Sequence, residues 1–341
     1  MIAIILVNWN GHKDTIECLE SLLRLQDEDC LPIIVDNGST DGSLEAFSRW
    51  AAAEEPATPV GPPWSRLPPR RLRQPKLHHI KPDEALLPWT PGSIVVVATG
   101  ANLGFAGANN VGMRLAHTLP EISHFWLLNN DTVVESDSLS RLRQTAADKP
   151  WAAIIGTALA YYHNPDLLQG LGGFFSPHRA TGGHVGFGLS RQAMPSIEEV
   201  EAKMTYVMGA SMFLSRETYD EIGPMSEEYF LYFEEADWAQ RLGAGRRQTV
   251  SLDAIVYHKE GSSIGTSSLS RPSDTSLYYI NTNLIRYMWK WHRPWSPMAW
   301  ARILRTALPF LKTGDWQALR VLWTAVSDRC RGISRQGKIT L

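Results

Sequence analysis

Phe125-Trp126-Leu127-Leu128-Asn129-Asn130-Asp131-Thr132 decides how the rest of the chain is read. Four apolar residues run directly into two amides and a carboxylate. The pattern predicts a buried central strand ending in a polar loop, and open α/β sheets bind ligands at the carboxyl ends of their strands. Asp131 is short and anionic and suits a hard divalent cation held through oxygen. The same residues also fit an Asn/Asp turn with no ligand, so the flanking segments carry the decision.

Upstream, the same grammar repeats. Ile2-Ala3-Ile4-Ile5-Leu6-Val7 is a continuous apolar run that exits into Asn8-Trp9-Asn10-Gly11. Asp14 to Leu25 carries Ile16, Leu19, Leu22 and Leu23 at helical spacing. Pro32-Ile33-Ile34-Val35 then runs into Asp36-Asn37-Gly38-Ser39-Thr40-Asp41-Gly42, followed by a helix over Ser43 to Ala53. This β-α-β-α beginning predicts a mostly parallel sheet with helices on both faces. Neither exit has the glycine spacing of a dinucleotide fingerprint or a P-loop. Asp36 suits a base imide or a ribose hydroxyl, or a plain Asx turn. Ile94 to Ala98 is the next strand. Asn102-Leu103-Gly104-Phe105-Ala106-Gly107-Ala108-Asn109 follows it and opens a helix to Leu119, whose first N–H groups are expected to face an anion such as a diphosphate.

Downstream of Asp131 the sequence predicts a helix over Ser136 to Ala147 and a strand over Ala152 to Ala160. Tyr161 to Arg191 is rich in Gly, His and aromatics and reads as strand pairs and loops that form a lid or an acceptor wall; His163, His178 and His184 have no regular metal spacing and read as surface or substrate-side residues. Tyr206 to Leu214 reads as a strand with small residues at its centre, Gly209-Ala210-Ser211, and Arg216 to Ile222 as a short helix. An aromatic run, Tyr229-Phe230-Leu231-Tyr232-Phe233, then enters Glu234-Glu235-Ala236-Asp237 and a further helix. Acids in a first helical turn favour the positive end of the dipole; three carboxylates behind an aromatic wall also suit a site that keeps one as a general base. Leu252 to Tyr257 is the last strand, and His258 after it is either a second metal ligand beside Asp131 or a hydrogen-bonded structural histidine.

Two regions depart from this grammar. Glu54 to Gly92 holds ten of the 21 prolines and the patch Arg70-Arg71-Leu72-Arg73, and reads as an insertion or long loop. Beyond the Ser/Gly loop Gly261 to Ser273 the chain turns helical, with Leu277, Ile280, Leu284 and Met288 on one face. Helices follow over Met298 to Leu311 and Trp316 to Cys330, divided by Pro294, Pro297, Pro309 and Gly314. The division expected is a catalytic domain over 1–270 and a helical region over 271–341.

The formal net charge is −2, which gives no reason to expect nucleic acid, but residues 286–341 hold eleven Lys/Arg against two Asp. Together with six of the 13 Trp, this basic region reads either as a surface for a lipid bilayer interface or as a packing or oligomer element. Cys18, Cys30 and Cys330 form no paired framework and fit a reducing compartment. The start at Met1 shows no basic leader or cleavage site, and no stretch of about 18 apolar residues occurs. The expected location is cytoplasmic, or peripheral on the inner face of the cell membrane.

In order, Val7-Asn8-Trp9-Asn10, the Asp36–Gly42 loop, Asn102–Asn109, Leu127–Asp131, Gly209-Ala210 and Phe233–Asp237 make a recognisable set. The chain resembles the family 2 inverting glycosyltransferases of the GT-A fold, and within them the rhamnosyltransferase-like branch that builds bacterial surface polysaccharides. The resemblance covers residues 1–290 apart from 54–92. It implies a nucleotide-diphosphate sugar donor, Mg²⁺ or Mn²⁺, and a glycan or lipid-linked glycan acceptor. By resemblance, Asp131 and His258 are metal ligands. Asn8, Asp36, Asn102, Gly104, Phe105, Asn109, Asn129 and Asn130 line the donor. Asn129-Asn130-Asp131 keeps only the last carboxylate of the family's Asp-any-Asp motif. Glu235 stands where the family's base stands, in a Glu234-Glu235 pair rather than Glu-Asp, with Asp237 in reserve. Tyr278-Tyr279 is followed by Thr282-Asn283, so the family's arginine before that asparagine is absent.

The activity implied is transfer of L-rhamnose from dTDP-rhamnose by single displacement. UDP-galactofuranose, UDP-glucose or UDP-N-acetylhexosamine are the alternative donors, and a catalytically degenerate scaffold is the non-enzymatic alternative. A pyrophosphate-releasing nucleotidyltransferase would want a basic, glycine-rich loop after the first strand, and Asn8-Trp9-Asn10-Gly11 is not one.

Overall fold

A computed structural model describes residues 1–53, 59, 61–69, 75–82, 84, 92–243, 247–259, 272–337 and 339. Its centre is a ten-stranded sheet. The first half alternates strand and helix: β1 (Ile2–Asn8), α1 (His12–Leu22), β2 (Cys30–Asp36), α2 (Ser43–Ala52), β3 (Lys76–Ile80), β4 (Ser93–Ala98), α3 (Gly104–His117) and β5 (His124–Asn129). After β5 come β6 (Thr132–Val134), α4 (Ser138–Asp148), β7 (Ala152–Tyr161) and β8 (Leu168–Gly170). A hairpin of β9 (Gly173–Ser176) and β10 (Thr181–His184) leads to α5 (Ile197–Lys203), β11 (Ser211–Ser215), α6 (Arg216–Ile222), α7 (Glu234–Gln240) and β12 (Arg247–His258). Three helices complete the described chain: α8 (Asp274–Trp291), α9 (Pro297–Thr313) and α10 (Trp316–Arg331).

The sheet runs in the order β3-β4-β2-β1-β5-β11-β7-β12-β6, with β8 beside β7. Strand β11 is antiparallel to both β5 and β7, which restores the common direction in β7 and β12. All strands of this sheet except β6, β8 and β11 therefore share one direction, and their carboxyl ends share one edge. The apolar run of β1 follows from burial on both faces: Ala3 and Ile5 join a core with Met113 and Leu115 of α3, while Ile2, Ile4 and Leu6 join one with Leu19 of α1, Phe47 of α2 and Leu139 of α4.

The structure corrects three expectations. The 54–92 stretch is not all loop, because β3 extends the sheet as an edge strand parallel to β4 and Trp64–Arg66 forms a 3₁₀ turn. Only one strand pairs with β3, so its Lys and His side chains stay wet and its sequence lacks a buried strand's apolar run. The patch Arg70–Arg73 and the loop residues 261–271 lie outside the described residues. The strand expected from Tyr206 begins only at Ser211. Pro309 does not divide α9 but sits inside it; it and Arg305, whose carbonyl loses the donor, lie on the exposed face, where water replaces the bond. No described helix is long and apolar enough to cross a membrane.

Candidate active site

The shared carboxyl edge gathers the polar strand exits. Asn8 stands in register with Asp36, and Val7 with Asn129. Asn8 donates to Asp36 Oδ2 at 2.8 Å and accepts from Thr15 Oγ1 at 2.8 Å, and Asn130 donates to that hydroxyl at 2.9 Å. The Ser39 N–H takes the other Asp36 oxygen at 3.1 Å. Asn8, Asp36 and Asn130 are all buried. This chain of amides and hydroxyls ties three strand exits into one rigid floor, and Thr15, on the first turn of α1, is a member that sequence patterning had not singled out.

The loop before α3 is pinned as tightly. Gly104 has φ +73°, and a Cβ there would stand 2.5 Å from the Phe230 carbonyl oxygen. The N–H groups of Leu103, Gly104 and Phe105 go to Asn37 Oδ1 (2.8 Å), Asn102 Oδ1 (2.9 Å) and Phe230 O (3.0 Å). The expectation of free N–H groups at this helix start is therefore narrowed: those of the preceding residue Leu103 and of the first two helical residues, Gly104 and Phe105, belong to loop closure. Asn109 donates to Phe105 O within its own helix. The second loop asparagine, Asn37, reaches both Asn102 Oδ1 and the Gly104 carbonyl, so the β2 and β4 exits move as one body.

Asp131 and His258 come together from β5 and β12. His258 Nε2 lies 3.1 Å from Asp131 Oδ1 and 3.4 Å from the Asn129 amide nitrogen, and its Nδ1 lies 2.8 Å from Gln169 Oε1 on β8. With Nδ1–H donating to Gln169, Nε2 presents its lone pair toward the carboxylate, which is how imidazole ligands are held for a metal. Among the described residues no group of three or more His, Cys, Asp and Glu forms a metal cluster. Among the described residues, the donor set fits a hard cation held by one carboxylate oxygen and one imidazole nitrogen.

Across the edge stand Glu234, Glu235 and Asp237 of α7. The backbone enters this helix through two consecutive non-glycine residues in the left-handed region, Tyr232 (φ 69°) and Phe233 (φ 76°). Such strain costs about 1–3 kcal/mol per residue and persists where packing over-determines it. Here Phe233 packs with Phe175 of β9 and Tyr287 of α8, and Asn283 of α8 donates to the carbonyls of Leu231 and Tyr232. The kink aims the acids apart. Glu235 Oε1 lies beside Gly209, 3.7 Å from where a Cβ would be, and the Phe105 ring is at the same distance from that point. Because Ala210 O accepts from the Asn129 N–H at 3.0 Å, Glu235 stands at the same end of the sheet as Asn129–Asp131.

The three carboxylates differ in electrostatics. Burial pushes the Glu235 carboxyl up to about 7, against which only its backbone N–H contact pulls. Burial and then repulsion from Glu235 push Glu234 well above the carboxylate range, and its Oε2 is buried with no hydrogen-bond partner. Asp237 is the reverse. Burial alone would raise it, but Lys290 (2.7 Å), Trp291 Nε1 (2.7 Å) and Arg241 (2.6 Å) outweigh that and hold it below the usual range. Tyr229 OH adds a contact at 3.2 Å. Asp237 is thus a fully buried, saturated anion, whereas Glu235 is a carboxyl poised near neutrality.

No protein-family profile matches the chain. Among curated proteins it is similar to a low-salt glycan biosynthesis hexosyltransferase of Haloferax volcanii, 24% identical over 160 residues that make up 46% of this chain and 47% of that protein. It is also similar to an N-acetylglucosaminyl-diphospho-decaprenol L-rhamnosyltransferase of Mycobacterium tuberculosis, 25% identical over 200 residues, 52% of this chain and 62% of that one. The chain thus spans about half the length of the curated relatives it matches. Among solved structures, a mannosyltransferase of Pyrobaculum calidifontis in complex with GDP-Man and Mn²⁺ superposes with a TM-score of 0.53 at 15% identity, covering 96% of this chain and 86% of that one. GalNAc-T7 with UDP, GalNAc and Mn²⁺ gives 0.56 at 11% identity, covering 86% and 49%. Staphylococcus aureus TarS 1–349 with UDP-GlcNAc gives 0.53 at 11% identity, covering 98% and 81%. The chain has the GT-A-like architecture of these glycosyltransferases: a mixed, mostly parallel sheet flanked by helices, with a C-terminal helical extension.

Proposed function

We propose that this protein transfers a sugar from a nucleotide-diphosphate donor to a hydroxyl of a saccharide or lipid-linked saccharide, with inversion at the anomeric carbon. The observation that carries the reading is Glu235: a carboxyl raised to about 7, at the sheet's carboxyl edge, across Gly209-Ala210 from Asn129–Asp131. A base tuned near the working pH takes a proton from an acceptor hydroxyl far better than one held at an ordinary carboxylate value. Glu234, held neutral behind it, keeps a second negative charge out of the pocket. Asp237 serves as a positioning residue that anchors α7 to α8 through Lys290 and Trp291.

Asp131 and His258, with Gln169 orienting the imidazole, would hold Mg²⁺ or Mn²⁺, and Asn8, Asp36 and Asn130 shape the floor of the nucleotide end. When bound, such a cation supplies charge stabilisation to the departing diphosphate. On this reading residues 1–270 form the catalytic domain, and 271–341 a helical region that contributes Lys290 and Trp291 to it.

A uridine or guanosine diphosphate sugar is the favoured donor, because the solved structures that share this architecture carry UDP, UDP-GlcNAc or GDP-Man. A dTDP-rhamnose donor is the second reading, supported by the printed activity of the mycobacterial relative. A screen of UDP-, GDP- and dTDP-sugars, with and without Mn²⁺, decides between them by release of the nucleoside diphosphate. Binding without turnover of any donor, candidate glycan acceptors included, would move the protein to the degenerate scaffold.

A further inference from the structure

Helices α9 and α10 leave an unusual surface. In α9 only Ala299 and Ile303 are buried. Trp300, Leu304, Leu308 and Leu311, at helical positions i, i+4, i+8 and i+11, form a continuous solvent-facing stripe, with Leu304 69% exposed. In α10, Trp316 and Trp323 lie two turns apart on one face, each 72% exposed, with Arg320 between them. Isolated exposed apolar residues need no explanation, but a stripe of Trp and Leu on adjoining helices marks an interaction site. Charge identifies the partner. Residues 293–326 carry Arg293, Arg302, Arg305, Lys312 and Arg320 against Asp315 as the one acid. Arg305 and Lys312 are exposed beside the α9 stripe. A protein partner would want an apolar core with complementary rim pairs, whereas Trp and Leu flanked by one sign of charge match the interface of an anionic bilayer.

The surface is also connected to the site. Ala299 at the start of α9 packs in one cluster with Ala180, Leu284 and Met288, against which Phe175 and Phe233 lie. Phe233 immediately precedes Glu234-Glu235. A membrane held by the outer faces of α9 and α10 would thus be joined to the layer in front of Glu234-Glu235 through the inner face of α9.

We propose that the exposed faces of α9 and α10 dock the protein on an anionic lipid surface, lying in the interface and not crossing it. That this delivers a lipid-linked acceptor to Glu235 rests on the transferase reading; the docking itself does not.

The test is co-sedimentation of the full chain with vesicles of phosphatidylcholine alone or mixed equally with phosphatidylglycerol, with tryptophan emission recorded alongside. Binding to the mixed vesicles with a blue shift, lost at high salt, is expected. Arg305→Gln with Arg320→Gln should weaken it about 30-fold, since each surface cation contributes about one factor of five. Leu304→Glu with Trp323→Glu should abolish it while leaving thermal unfolding and donor cleavage unchanged, these positions being exposed and outside the site. Equal binding to both vesicle types, no binding, or a concentration-dependent dimer that Leu304→Glu disperses while vesicles have no effect would each overturn the proposal. Failure of the transferase reading looks different: vesicle binding intact and no donor cleaved.

Discussion

Replacing Glu235 by glutamine should remove turnover and at the same time stabilise the fold. The carboxyl rises from near 4.5 to about 7 because burial disfavours its charge. A folded-state value above the unfolded one means the stability contribution is intact below about 4.5 and is lost as pH rises through about 7. At pH 8 the native state therefore carries a penalty of up to about 3 kcal/mol for ionising this group. A glutamine side chain is nearly isosteric with glutamate and never ionises, so Glu235→Gln should recover most of that, a gain of about 5 °C in Tm at pH 8 that vanishes at pH 4.5. Loss of a general base should lower kcat by about 10²–10⁴ with donor affinity within twofold. The wild-type kcat/KM should fall tenfold per pH unit below about 7. Differential scanning calorimetry at the two pH values, with donor titration and turnover on the same preparations, checks all three. A variant with near wild-type turnover, or an equal Tm gain at both pH values, would refute the assignment of the base.

Asp237→Asn should behave oppositely: breaking a buried pair that holds Lys290 and Arg241 costs about 3–5 kcal/mol, read as a lower urea midpoint. Because the Asp237 carboxyl is held below its usual range, its stabilisation is present above the unfolded value near 4 and lost as pH falls, so wild type and variant should converge in acid. Gln169→Leu should free the His258 ring and weaken Mn²⁺ binding measured with UDP by electron paramagnetic resonance about 10–100-fold; unchanged affinity would place His258 outside the metal's ligand set. Gly104→Ala forces a Cβ against the Phe230 carbonyl in a left-handed conformation and should cost about 2–4 kcal/mol, seen in thermal unfolding; a cost below about 1 kcal/mol would show that the loop yields.

What the sequence made legible was the periodic and the local. Apolar runs ending in Asn8, Asp36, Asn129-Asn130-Asp131 and His258 are confined to strands and their exits, so one linear pattern carries both sheet and edge. What escaped it depends on contacts between distant segments. Gln169 is an ordinary polar residue in a short strand until β12 brings His258 to it. Lys290 and Trp291 look like any basic, aromatic helix end, yet they complete the cradle of Asp237 more than fifty residues earlier. The left-handed Tyr232-Phe233 has no sequence signal, because neither residue is Gly or Asn; α8 and the β9–β10 hairpin impose it. Strand β3 was hidden among prolines because a half-wet edge has no need of an apolar run. The two helices with exposed stripes were visible as basic and Trp-rich, but only packing shows which Trp residues face out.

The most direct measurement is the anomeric configuration of the first product released by the full chain from the donor that the screen selects, followed by ¹H NMR before mutarotation. Single displacement with Glu235 as base predicts the configuration opposite to the donor's, formed by the wild type and not by Glu235→Gln. A product of retained configuration, or an inverted one formed equally well by the variant, would contradict the account.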